Sequence, residues 1–97
     1  KLTYSEIISK MKKKIKKSKS EIYLVSCGCY GLPLCEYIKN LNKNSIYVGG
    51  LLQLLFGLKG KRWDNRKFMN KYYNEFWKYP NKKPKNYNLI ENGCYWN

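Results

Sequence analysis

Two glycine-bearing stretches and one basic stretch are the parts of this sequence whose residue types and spacing could do chemistry. Ser26-Cys27-Gly28, followed by Gly31, and Val48-Gly49-Gly50 each close a short apolar run. A turn of this kind at the carboxyl end of a parallel strand offers backbone N–H groups and a following helix N-terminus to an anion. The Gly28-x-x-Gly31 spacing lacks the third glycine and the acidic ribose clamp of the dinucleotide fingerprint, so a tight turn with no ligand is the competing reading. Lys59, Lys61 and Arg62 follow the second stretch. Cations beside glycine turns can clamp a diphosphate, and in a lysine-rich chain they also make an ordinary solvated loop. Arg62 is the more informative of them because arginine is scarce here. Trp63 is suited either to stacking on a base or sugar ring or to plugging the loop into the core.

Acid–base candidates are few. Asp64 could reach a substrate hydroxyl and Glu91 could fold back over a pocket, and both serve equally well as surface or ion-pair residues. No close carboxylate pair is offered to a metal-dependent phosphate-ester reaction. Cys27, Cys29, Cys35 and Cys94 include no Cys-x2-Cys pair and the chain has no histidine, which argues against a zinc site and leaves a thiol nucleophile without a base. They read as small buried hydrophobes in a reducing, cytoplasmic setting. No catalytic residue, metal ligand or cofactor is assigned within the chain.

The elements that must position these residues follow from periodicity. Thr3-x-x-Glu6 is a capping box, and Ile7, Ile8, Met11 and Ile15 recur at helical spacing opposite a lysine face, so residues 1–19 form a leading basic amphipathic helix. Such a helix can lie on an anionic surface, but the surface helix of an α/β layer is the commoner use. Residues 21–26 read as a strand buried on both faces, because they are apolar without clean alternation. A helix starts near Leu32-Pro33-Leu34, with Pro33 in its first turn and Leu34, Cys35, Ile38 and Leu41 inward. Residues 45–48 form the next strand, parallel to the first. Leu51 to Phe56 should make a short helix buried on most sides, followed by a basic loop punctuated by Gly57 and Gly60. Phe68, Met69, Tyr72, Tyr73 and Phe76 have helical spacing, which Trp77 extends. Pro80 and Pro84 mark an exposed linker at the start of a tail, residues 80–97, whose aromatic end should be docked. The class is α/β: a partial Rossmann-like parallel sheet, one βαβ unit, with flanking helices. Residues 1–97 form a single domain, expected to be the C-terminal fragment of a larger one, because two strands fall short of a stable sheet.

The 97 residues carry a net charge of +14, with 18 Lys but only 2 Arg. Lys, Asn and Tyr are all abundant, as an AT-rich coding sequence would produce, and the residue best suited to bidentate phosphate and base contacts is nearly absent. The interleaving in Lys71-Tyr72-Tyr73 and Trp77-Lys78-Tyr79 keeps a basic nucleic-acid-associated domain as an alternative, yet specific nucleic-acid binding is not expected. No apolar run is long enough to span a bilayer.

The runs Leu24-Val25-Ser26-Cys27-Gly28-Cys29-Tyr30-Gly31-Leu32-Pro33-Leu34 and Ile46-Tyr47-Val48-Gly49-Gly50-Leu51-Leu52-Gln53-Leu54-Leu55-Phe56-Gly57, with Gly60-Lys61-Arg62-Trp63 and Glu91-Asn92-Gly93-Cys94-Tyr95-Trp96, resemble a recurrent bacterial and giant-virus family. Its layout is similar to the C-terminal half of GT-D-type glycosyltransferases, α/β enzymes that use a nucleotide-sugar donor and a divalent metal. Ser26 and Gly28 match their Ser-x-Gly turn, and Gly49 matches the glycine closing the next strand. Gly50 and the apolar residues after it depart from the polar and acidic continuation of those enzymes. The resemblance implies a nucleotide-sugar donor and a glycan acceptor. Ser26, Gly28, Gly31, Gly49, Gly50, Lys59, Lys61, Arg62 and Trp63 would lie on the donor side, with Asp64 and Glu91 as acidic contributors. The acidic metal motif of that family lies in its N-terminal half, so a missing N-terminal half or a partner subunit would hold the metal, and a non-catalytic accessory domain is the alternative.

Overall fold

A computed structural model describes all residues, Lys1–Asn97. The leading helix, α1 (Tyr4–Lys17), begins where its sequence says it should. Thr3 Oγ1 accepts the Glu6 N–H at 3.2 Å, and the Thr3 N–H donates to Glu6 Oε2 at 2.8 Å. These two bonds satisfy donors that the first turn leaves without intrahelical partners. At the other end Lys14, Lys16 and Lys17 complement the helix dipole. Ile7, Ile8, Met11 and Ile15 are half-buried while most of the lysine face stays in water.

Strand β1 (Ile22–Val25) and strand β2 (Asn44–Tyr47) pair in parallel, with Leu24 opposite Ile46 and Val25 opposite Tyr47. Between them a 3-10 turn (Gly28–Tyr30) leads into helix α2 (Gly31–Asn40). The fold is mixed α/β with one two-stranded parallel sheet. The core of this region is Val25, Leu34 and Ile38. Helix α1 is fastened to it at several points. The Tyr23 hydroxyl donates to the Ile15 carbonyl at 3.2 Å, the Lys12 ammonium lies 5.4 Å from the Tyr37 ring centre, and Tyr4 stacks on Tyr30 at 4.8 Å. The helix is thus packed against β1 and α2 by its apolar side, as a surface helix would be.

β1 is not buried on both faces as its composition suggested. Ile22, Leu24 and Ile46, which share one face of the sheet, are exposed. The run lacks alternation because both faces carry apolar side chains, yet the face bearing Tyr23 and Val25 is the one that meets the helices.

Beyond β2 come a 3-10 turn (Gly49–Leu51), helix α3 (Leu52–Leu55), helix α4 (Lys61–Asp64) and 3-10 turns at Lys67–Met69, Tyr87–Leu89 and Glu91–Gly93. The chain divides into two compact units, Lys1–Leu52 and Gln53–Asn97. In the second, Leu54 and Trp63 are buried, and Leu58 and Lys78 form a parallel bridge. Two expectations change here. Of the apolar run after Gly50 only Leu54 is buried. Leu51, Leu55 and Phe56 are exposed, because a single helical turn stopped at Gly57 (φ +81°) can turn only one residue inward. The helical spacing of residues 68–77 yields no helix beyond the turn at Lys67–Met69. Asn74 offers a local alternative, its Oδ1 accepting the Phe76 N–H at 2.9 Å and its carbonyl the Trp77 N–H at 3.1 Å. Side chains of this kind draw the backbone out of a helix and into turns.

Candidate functional site

The carboxyl ends of β1 and β2 lie side by side. The ladder runs one residue past the strands, with the Val48 N–H donating to the Val25 carbonyl at 2.9 Å. There the Ser26 hydroxyl donates to the carbonyl of Gly49, tying one glycine turn to the other. Gly28 (φ +54°) and Gly49 (φ +69°) are left-handed, a conformation a side chain disfavours. A methyl group at Gly28 would meet no atom within 4 Å, so that turn faces open space, and at Gly49 the nearest atom would be Tyr47 Cε1 at 4.0 Å. Gly31 is glycine for another reason, since a Cβ there would collide with the Tyr47 ring. Gly50 is half-buried beside Gly49. The Tyr4 hydroxyl donates to the Cys29 carbonyl at 3.3 Å. An apolar cleft of about 330 Å³ is lined by Met11, Ile15, Tyr23, Leu34 and Leu52 among others, and Ser26 and Cys27 belong to its lining. Burial, reinforced by the neighbouring Cys35 and Cys29, pushes the Cys27 thiol up from its ordinary range, which is the reverse of an activated nucleophile. All four cysteines are free thiols.

The remaining candidates belong to the second unit, where the structure joins Gly60-Lys61-Arg62-Trp63 to the end of the chain. The Lys61 N–H donates to the Trp96 carbonyl at 2.7 Å and the Arg62 N–H to the Cys94 carbonyl at 3.0 Å. The approach is close enough that a Cβ at Gly60 would lie 2.8 Å from the Cys94 carbonyl oxygen. Arg62 Nη1 donates to Glu91 Oε2 and to the Tyr95 hydroxyl oxygen, both at 3.1 Å, and the Tyr95 hydroxyl donates to Glu91 Oε2 at 3.0 Å. Burial, then the bond to Glu91, raises the Tyr95 hydroxyl and the Cys94 thiol above their usual ranges. Glu91, Asn92 and Gly93 are left-handed in succession (φ +45°, +55° and +66°), which is strained for Glu91. The Trp63 indole, 6% exposed, packs 6.0 Å from Tyr95. Of its two alternatives, Trp63 takes the plug.

Lys59 and Asp64 enter a third arrangement that periodicity gave no sign of. The Lys59 ammonium lies between two rings, 4.9 Å from the centre of Tyr73 and 5.0 Å from that of Tyr79. The Tyr79 hydroxyl donates to Asp64 Oδ1 at 2.7 Å. That bond, with some burial, pushes Tyr79 up to about 12. Burial first and then Asp64 raise Tyr73, whose hydroxyl is buried without a hydrogen-bond partner. The interleaving of lysines with Tyr72, Tyr73 and Tyr79 placed rings near cations but did not single out Lys59, whose partners lie 14 and 20 residues along the chain.

Tyr79 therefore engages Asp64, and Arg62 engages Glu91, while Lys61 is exposed. No group of three or more His, Cys, Asp or Glu side chains that could hold a metal ion is present. No helix is long and apolar enough to cross a membrane. No protein-family profile matches the sequence, and no curated protein and no solved structure matches it either.

Proposed function

We propose that this chain supplies donor-side turns of a nucleotide-sugar-dependent glycosyltransferase, with the strand ends of the first unit facing the donor diphosphate and a glycan as acceptor. The observation that carries the reading is the bond from the Ser26 hydroxyl to the Gly49 carbonyl. It sets two glycine turns side by side at the carboxyl ends of parallel strands, where α/β sheets bind ligands, and the Gly28 turn is open. In this reading the two strands continue a Rossmann-like sheet, and the acidic metal site comes from another segment or a partner subunit. Arg62 and Trp63 shape the second unit, and Lys61 is the exposed cation nearest them in sequence.

The test is a titration of the chain with uridine and other nucleoside diphosphates, followed by amide chemical shifts. Shifts should concentrate at residues 26–31 and 48–50, and Gly49→Ala should abolish them. Shifts spread evenly over the lysines, or none at these turns, would rule the reading out. A non-catalytic accessory role is the second reading. The engagement of Lys59, Arg62, Asp64 and Glu91 within the chain favours it, and it predicts donor-independent association with a catalytic subunit.

A further inference from the structure

Among the exposed apolar side chains of the second unit, which include Phe68 and Leu89, four fall on two segments joined by backbone hydrogen bonds. Leu54 is buried and Trp77 half-buried, with the Trp77 indole N–H donating to the Leu54 carbonyl at 3.0 Å. Their sequence neighbours face the other way: Leu55 is 66% exposed, Phe56 71% and Phe76 74%. The backbone brings these neighbours together. Gly57 reverses the chain after Phe56, the Lys78 N–H donates to the Gly57 carbonyl at 3.0 Å, and the Lys59 N–H donates to the Lys78 carbonyl at 2.9 Å. The Phe76 carbonyl lies 3.8 Å from where a Cβ of Gly57 would be. Leu58, also exposed, continues the patch to the exposed Lys78. Single exposed apolar residues need no explanation, but two phenylalanines and two leucines on adjoining segments form a surface that water disfavours.

We infer that the surface of Leu55, Phe56, Leu58 and Phe76 docks on an anionic lipid bilayer, as a shallow, reversible anchor. Charge selects this occupant. Residues 53–97 carry ten Lys and Arg against three carboxylates, an excess that remains after Arg62 pairs with Glu91; beside the patch itself lie the exposed Lys78 and the exposed Glu75. Apolar side chains that enter the acyl boundary, backed by surrounding cations on the headgroups, are the two signals that together hold a peripheral protein. Nucleic acid fits the same patch less well, because Phe56 and Phe76 offer rings to stack on bases but Leu55 and Leu58 between and beside them do not. The anchor goes beyond donor binding and rests on a different part of the molecule, so neither conclusion depends on the other.

The experiment is co-sedimentation of the whole chain with vesicles of phosphatidylcholine alone and with phosphatidylglycerol added, across a salt series. The chain should bind the anionic vesicles, bind neutral ones weakly, and lose affinity as salt rises. Phe56→Ser with Phe76→Ser should lower binding to anionic vesicles by about tenfold or more at constant salt. Both side chains are mostly in water, so the double variant should fold, which its amide spectrum will show, and Leu55→Ser provides an independent smaller loss. Equal binding by wild type and the double variant would overturn the inference, since charge alone would then account for attachment. So would tighter binding to a single-stranded oligonucleotide than to vesicles, with a dependence on Phe56 and Phe76.

Discussion

The strand-end edge of the first unit and the aromatic–basic region of the second are built on opposite plans. The edge is held by backbone: a parallel ladder, two left-handed glycines and one serine hydroxyl on a carbonyl. Its Gly28 turn is left facing open space. The second region is held by side chains, with Arg62 on Glu91 and Tyr95, Lys59 between Tyr73 and Tyr79, and Asp64 on Tyr79. The difference shows that Lys59, Arg62, Asp64 and Glu91, suggestive of chemistry by type, are engaged within the chain, while the plainer Gly28 turn faces open space.

Breaking the second region should produce the largest effect. Trp63→Ala removes a buried indole and should cost about 3–5 kcal/mol, a large share of the stability of a small domain. Denaturant unfolding monitored by circular dichroism checks it, and a loss below about 1 kcal/mol would mean that Trp63 is not the plug. A smaller cost is expected at the edge. Gly49→Ala imposes a side chain on a left-handed residue with little steric conflict around it, which should cost about 1–2 kcal/mol by the same measurement. The comparison sharpens if Gly28→Ala costs a similar amount, because then conformation alone, and not packing, specifies both turns.

The smallest effect is a matter of pH. Tyr79 is raised to about 12, chiefly because its hydroxyl donates to Asp64. The unfolded chain would release this proton near the ordinary value of 10, at lower pH than the folded one. The unfolded state thus binds fewer protons between the two values, so the bond contributes stability below about 10 that is lost as pH rises toward 12. Phenolate absorbance should show a late-titrating tyrosine, and Asp64→Asn should return it toward the others.

Local grammar was legible in the sequence. Thr3 and Glu6 fix the start of α1, and the apolar runs ending at Ser26 and Val48 fix the strands and their glycine turns, because those signals act within a few residues. The docking of the aromatic tail was legible too, from the cost of leaving Tyr95 and Trp96 in water. Burial was not. The open face of Ile22, Leu24 and Ile46 depends on what lies across from it, and the run Leu51–Phe56 buries only Leu54 while Leu51, Leu55 and Phe56 stay exposed. Residues 68–77 misled because aromatic spacing matches a helix while Asn74 supplies a turn. The partners of Lys59 and Arg62 were invisible because they sit 14 to 33 residues away, beyond the reach of any periodicity.

The uncovered side of the two-stranded sheet carries one more consequence. A short sheet with free edges is a template on which a second copy could add strands. Here every copy also carries +14, so approach is opposed by mutual repulsion at low ionic strength. Added salt shortens the reach of that repulsion to about 10 Å at 0.1 M and leaves the apolar face untouched. The strength of the repulsion between copies is thus set by the ionic strength of the surroundings.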